Sequence, residues 1–299
     1  MTALPRERTA DGVEILTLIP NPSKPRGGVV VLDAWLIDEL LRAFDAIAKG
    51  PPPTGFILRS GSSRVFVAGA DLAEIDALDD PGLDAYLRRG AEAFGRIPAL
   101  PCASVAAINA ATLGGGLEIA MHCDALIGVA TAAGAKPYRV GLPEAGLGIC
   151  PGWGGTQMLP ARIDPALAIE RTATGETWAS DALPDGLFAA LAPDADRLLP
   201  SAAAWLSSHR RTGSRSSPTA IDGSNRDRVA AGLAAVRTKM AARHGGGSPG
   251  EAAEAVLDAV QIGLDNGWTD AIAAERRHLV RLRHTPEARA KLEAFLTKA

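Results

Sequence analysis

The chain has 299 residues, 47% hydrophobic and 22% charged, with 31 lysines and arginines against 34 aspartates and glutamates. That length exceeds one minimal core and suits a large α/β domain, or a core of about 200 residues with a helical appendage. A net charge of −3 supplies no cationic field for a phosphate backbone, so no nucleic acid partner is expected.

In chain order, the opening MTALPRERTADG lacks the apolar stretch of a secretory signal, and no apolar run is long enough to span a bilayer. A cytoplasmic setting with no membrane partner is expected. Strands are predicted at residues 13–19, 29–32, 56–59, 65–67, 102–108 and 125–130. Several are continuously apolar, as strands buried on both faces are. Between them, Leu36, Leu40, Phe44 and Ile47 recur at helical spacing after Asp33, and Leu72, Ile75 and Leu78 follow Asp71 in the same way. The alternation predicts an α/β fold with crossover helices.

Residues 166–206 read as mostly helical, 207–228 as a polar linker or mobile loop, and 244–250 as a second hinge. A periodic helix follows through Ala253, Val256, Leu257, Val260 and Leu264, and a last one starts at Thr285, Pro286 and Glu287. No repeat at a fixed period is visible.

Three segments carry candidate chemistry. In INAATLGGGLEIAMHCDA (108–125) a buried strand runs into three glycines and a helix. Free N–H groups at such a helix start can face an oxygen that becomes negative, with Glu118 in the first turn nearby. Alone, this reads as a flexible turn and a solvated glutamate. The second segment, VGLPEAGLGICPGWGGTQML (140–159), shifts the balance by placing Glu144 in an apolar, glycine-rich context that raises a carboxyl group's proton affinity. Two such acids can share a water or pass a proton. The third, FVAGADLAEIDAL (66–78), ends a strand before a helix capped by Asp71; alone it is an ordinary strand-to-helix turn. Cys102, Cys123 and Cys150, odd in number and widely spaced, fit neither a disulfide framework nor a zinc site.

Together the segments resemble the crotonase, or enoyl-CoA hydratase/isomerase, superfamily, whose pattern is a GAD turn, a GGG-x-E helix start and a later PE followed by PG-x-GGTQ. Here GAD stands at 69–71, GGGLE at 114–118, PE at 143–144 and PGWGGTQ at 151–157. The resemblance covers roughly residues 12–195 and rests on four linked motifs. It implies a crotonase-like (ClpP/crotonase) α/β spiral of ββα units with a helical C-terminal region. The expected division is a core at 1–200, a linker and partly helical segment at 201–250, and a C-terminal helical region at 251–299.

The resemblance further implies an acyl-CoA thioester as substrate, with its carbonyl in an oxyanion hole made by the N–H groups of Ala70 and Gly115. Ala68, Gly69, Asp71, Leu72, Gly114, Pro143 and Gly152 would surround the acyl-CoA. Glu118 and Glu144 look like the two acids that flank water in the hydratases, which implies hydration of trans-2-enoyl-CoA to 3-hydroxyacyl-CoA in fatty-acid or related acyl-CoA degradation. Isomerases of the superfamily usually keep only the acid at the position of Glu144. No metal is implied, and no cofactor beyond the coenzyme A of the substrate. A homo-oligomer, trimer or hexamer, is implied as well.

Residues 249–296 are similar to the end of the hydratase portion of multifunctional fatty-acid oxidation α-subunits. That similarity points to a separate dehydrogenase or thiolase subunit as partner. It also raises a different reading, a non-catalytic acyl-CoA-binding or docking subunit. No G-x-G-x-x-G fingerprint follows a strand. The chain departs from the family pattern at Ala73, where a Lys or Arg near the CoA phosphates is usual, leaving Lys24 and Arg26 as candidates for that contact or as solvated loop charges. His122 reads as a packed residue, and ERRHLVRLRH (275–284) as a charged helix face.

Overall fold

A computed structural model of the chain describes residues 3–24, 26–243 and 248–297. In chain order it contains β1 (Arg6–Arg8), β2 (Val13–Leu18), α1 (Ala34–Ala48), β3 (Gly55–Ser60), β4 (Val65–Val67), α2 (Leu72–Ala77) and α3 (Asp80–Gly95). Then come β5 (Ser104–Ile108), β6 (Ala111–Leu113), α4 (Gly115–Met121), β7 (Ala125–Val129), β8 (Arg139–Gly141) and a 3-10 turn at Glu144–Leu147. The rest is α5 (Gly155–Arg162), α6 (Pro165–Thr174), β9 (Trp178–Ala179), β10 (Ala190–Ala192), α7 (Leu198–Ser208), α8 (Arg226–Arg243), α9 (Glu251–Asn266), α10 (Trp268–Leu282) and α11 (Pro286–Leu296).

The strands form a large sheet in the order β1-β2-β3-β5-β7-β10 and a small one in the order β4-β6-β8-β9. They are filled in turn. β3 enters the large sheet and β4 the small one before α2; β5 and β6 do the same before α4, and β7 and β8 before the 3-10 turn. Pairing from β2 through β3, β5 and β7 is parallel, and so is β4 with β6 and β6 with β8. Each ββα unit thus advances one strand in each sheet and leaves its turn on the same rim. The units begin at Gly55, Ser104 and Ala125, an uneven spacing that hides the repeat in the sequence.

The parallel strands are apolar throughout because both faces are covered. Phe56, Leu58, Ala106, Ile108 and Leu126 join the main core, while Ile57, Val105, Ala107 and Ile127 face α7 through Leu198, Ala202 and Leu206. A second core lies among the C-terminal helices, with Ile169, Val229, Leu233, Val256, Val260, Leu282 and Leu292. The expected caps form. Asp33 accepts from Leu36 N–H, Asp71 from Ala73 and Glu74, and Thr285 from Ala288, each worth about 1 kcal/mol.

Some expectations need correction. Residues 29–32 do not form a strand; Leu32 makes one parallel bridge to Ala70, because this segment runs onto the turn after β4, with Ala68 N–H donating to Val30. The stretch 166–206 includes β9 and β10 as well as helices. The stretch 207–228 is tied down by Arg211 and Arg215, which lie 3.3 and 2.6 Å from Asp124, and by buried Ala220 and Ile221. The expected boundary at residue 200 falls inside α7. Of the expected hinge at 244–250, residues 244–247 lie outside the described residues. No helix among the described residues is long and apolar enough to cross a membrane.

Candidate active site

The rim shared by the three ββα turns encloses a mostly apolar cavity of about 240 Å³. Ala68, Gly69, Ala70 and Leu72 line it from the first turn, Gly114, Gly115 and Glu118 from the second, and Pro143 and Glu144 from the third. Gly152 and Trp153 close another side. Asp71 is the one expected contact residue that does not line the cavity. Its carboxylate is turned back to cap α2, with Lys24 Nζ 3.7 Å away. Lys24 also pairs with Glu74 at 2.8 Å, and Glu74 in turn accepts from Ala34 N–H at the start of α1. The side chain of Arg26 lies outside the described ones.

Among the described residues, the backbone N–H groups of Ala70 and Gly115 meet no backbone acceptor at the turns. In the bridge between Leu32 and Ala70, Leu32 donates to Gly69 O and Asp71 donates to Leu32 O. The alternation of a parallel bridge therefore turns the N–H of Ala70 the other way. Gly115 opens α4, where the first N–H groups have no intrahelical acceptor. The three glycines each answer a different constraint. Gly114 has φ +55°, and a Cβ there would lie 2.7 Å from Glu144 Oε1. A Cβ on Gly115 would strike the Trp153 ring at 2.5 Å, and one on Gly116 would strike Val67 O at 2.3 Å.

Both acids are buried, Glu118 at 1% exposure and Glu144 at 9%, but their partners differ. Glu118 Oε1 accepts N–H bonds from Trp153 and Gly155, each at 2.8 Å, which leaves Oε2 to meet a ligand. Glu144 Oε2 is buried with no hydrogen-bond partner among the described residues. Burial drives the proton affinity of both upward. Glu144 is pushed up to about 8, first by desolvation, and its own backbone N–H draws it back only in part. Glu118 is raised by desolvation and then by the charges of Glu275 and Glu144, against the pull of its two N–H donors. The two N–H donors on Glu118 fix its position and oppose the effect of burial without cancelling it.

Trp153 is wedged against Tyr86 and Phe94, at 5.6 and 5.2 Å between ring centroids, and donates Nε1–H to Leu87 O at 2.9 Å. His122 is buried, with Nδ1 2.9 Å from Glu118 O and its ring against Phe94 and Trp268. Desolvation pushes it down to about 4, so it is a neutral packing residue near pH 7. The three cysteines are free and buried, and Cys150 lines the cavity.

Sequence reasoning missed the contribution of the C-terminal helices. Leu279 of α10 and Phe295 of α11 complete the cavity wall. Residues 80–86 form the first turns of α3. Arg283 fastens α10 over them by donating to Ile75 O, Leu78 O and Asp80. Glu275, read as part of a charged face, is fully buried. One signal for it was present: it stands three residues after Ile272, four before Leu279 and seven before Leu282, on the apolar stripe of α10.

Residues 29–238 match the sequence model of the enoyl-CoA hydratase/isomerase family. The fold is similar to an enoyl-CoA hydratase from Bacillus anthracis, at 24% identity and a TM-score of 0.60 over 99% of this chain and 97% of that one. It is similar to an enoyl-CoA hydratase from Bacillus halodurans, at 22% identity and a TM-score of 0.65 over 98% and 100%. A human mitochondrial delta3-delta2-enoyl-CoA isomerase matches at 21% identity and a TM-score of 0.68 over 99% and 98%. At these identities the likeness is one of fold.

Proposed function

The chain belongs to the enoyl-CoA hydratase/isomerase family, and from that membership and the cavity's geometry we propose that it hydrates trans-2-enoyl-CoA to 3-hydroxyacyl-CoA. The observation that carries the reading is that two buried carboxyl groups, Glu118 and Glu144, line one apolar cavity together with the turns that bear the spare N–H groups of Ala70 and Gly115.

The chemistry follows from the donors. The thioester carbonyl accepts from Ala70 and Gly115 N–H, and these donors stabilise the enolate oxygen that develops when the β-carbon is attacked, each contributing about 3 kcal/mol in a dry site. Glu118 Oε2 takes a proton from water as the oxygen bonds to the β-carbon. Glu144, held protonated by burial, delivers its proton to the α-carbon. The reaction needs no electron acceptor, and coenzyme A enters only as the substrate's handle. Ala68, Gly69, Leu72, Gly114, Pro143 and Gly152 shape the channel for the acyl-CoA, while Asp71 fixes α2.

The test is loss of the conjugated thioester absorbance together with a product heavier by one water. No loss with any acyl length, from butenoyl upward, contradicts the proposal. A second reading, double-bond isomerisation, draws on one observation: Glu144 Oε2 is buried without a partner among the described residues, whereas Glu118 spends Oε1 on two N–H groups. One proton shuttle suffices for that reaction. It predicts a product of unchanged mass and a Glu118→Gln variant that keeps its activity.

A further inference from the structure

Four successive backbone N–H groups at the start of α5 are divided between two carboxylates. Trp153 and Gly155 donate to Glu118 Oε1, each at 2.8 Å; Gly154 donates to Glu275 Oε2 at 2.6 Å and Thr156 to Glu275 Oε1 at 3.0 Å. The Thr156 hydroxyl adds a bond of 2.5 Å to the same Oε1. Its direction is fixed, because Gln157 Nε2 donates to that hydroxyl oxygen at 2.8 Å while also donating to Ala259 O, so the hydroxyl proton points at Glu275. The side chain of Gln157 fits only because residue 263 is glycine, where a Cβ would lie 1.8 Å from Gln157 Oε1. The GGTQ motif thus serves Glu275, a residue the reaction scheme does not use.

We propose that Glu275 is a positioning residue: by accepting from Gly154 and Thr156 it fixes the segment whose alternate N–H groups, those of Trp153 and Gly155, aim Glu118, and it sets a carboxylate charge against the Glu118 and Glu144 pair. The proposal rests on the hydration reading above.

Three donors on a buried carboxylate favour its ionised form over those of its neighbours. The groups facing it are few. On its own helix, Arg276 is next in sequence but turns to Asp84 of α3 at 3.6 Å, and His278 pairs with Asp258 of α9 at 2.8 Å. From α5 come Thr156 and Gln157, from α4 Glu118, from the 3-10 turn Glu144, and from the loop before Gly152 the Cys150 thiol, which desolvation and then the Glu275, Glu118 and Glu144 charges push upward. Desolvation raises Glu275 itself only to about 6, held back first by the Thr156 bonds. Its charge acts in the same direction on Glu118 and Glu144, favouring their protonated forms.

A mere cap for α5 would contribute stability and nothing else, so the test is the pH profile of turnover on trans-2-butenoyl-CoA and its longer homologues. In the Glu275→Gln variant both limbs of the kcat profile move to lower pH. The kcat at the optimum falls about tenfold or more through misplacement of Glu118, and KM changes little. A folded variant whose limbs stay in place overturns the proposal, even if its melting temperature drops. A parent with no hydratase turnover contradicts the reaction reading instead; infrared titration of protonated carboxyl groups then still reads the charge effect. The expected result is loss of the band at lower pH in Glu275→Gln than in the parent, and an unmoved band overturns the proposal.

Should Glu275→Gln fail to fold, Thr156→Val removes one donor, so Glu275 keeps its proton to higher pH. The acid limb then moves lower while the alkaline limb stays, and Thr156→Ser restores the parent profile. An unmoved acid limb in Thr156→Val overturns the proposal.

Discussion

The segment at residues 151–156 and the turn at Glu144–Leu147 each meet one carboxyl group at the cavity, and they meet it with different numbers of donors. The first gives Glu118 two N–H bonds; the second leaves Glu144 Oε2 buried without a partner. Both acids are desolvated, and burial favours the protonated form of each. Two residues of the same charge type are thus held differently, and in the proposed reaction Glu118 takes a proton from water while Glu144 gives one to carbon.

Removing the acid should have the largest effect. Glu144→Gln is expected to lower kcat by about a thousandfold, within the range of general acid catalysis, and to leave the fold intact, since the amide replaces a carboxyl with an unpartnered oxygen. Steady-state kinetics with a thermal melt would check this. Gly114→Ala comes next. Its Cβ would sit 2.7 Å from Glu144 Oε1 at a φ of +55°, so kcat should drop about a hundredfold through displacement of that carboxyl, with about 1–2 kcal/mol of stability lost to backbone strain.

Stability sharpens the same contrast. Glu118→Ala strands the buried N–H groups of Trp153 and Gly155 and should cost about 2–3 kcal/mol in denaturant unfolding, whereas Glu144→Ala releases only its own backbone N–H and should cost less. Equal costs would erase the distinction. The pH dependence is a subtler sign of it. Glu144 holds its proton to about pH 8 folded, against a reference value of 4.5. The folded chain therefore binds more protons in that window, and the stability of the parent relative to Glu144→Gln should fall as pH rises from about 5 to about 8 and then level off. Melting curves of the two proteins across that window test the sign. The smallest effect is expected at Thr285→Ala, which uncaps the helix bearing Phe295 and should cost about 1 kcal/mol by denaturant titration.

Much of this arrangement was legible in local chemistry. Asp33, Asp71 and Thr285 announce helix starts because capping is a matter of a few adjacent residues. The glycines at 114–116 announce a close approach, although the sequence does not name the neighbours: Glu144 Oε1, the Trp153 ring and Val67 O. What stayed hidden depends on distant partners. Strands of two or three residues such as β8 and β9 are too short for a period, and they exist because a neighbouring turn of the spiral offers them a ladder. The polar stretch after α7 looks like a linker until Asp124 is placed opposite Arg211 and Arg215. Glu275 looks solvated until the amides of residues 154 and 156 are placed against it.

The central claim is that one thioester meets the N–H groups of Ala70 and Gly115 while its reacting carbons lie between Glu118 and Glu144. A crystal structure with a non-reactive enoyl-CoA analogue tests it directly. The account predicts the carbonyl oxygen within about 3 Å of both N–H nitrogens, with Glu118 Oε2 on the side of the β-carbon and the Glu144 carboxyl on the side of the α-carbon. A carbonyl bound elsewhere, or either carboxyl turned away from the acyl chain, would contradict it.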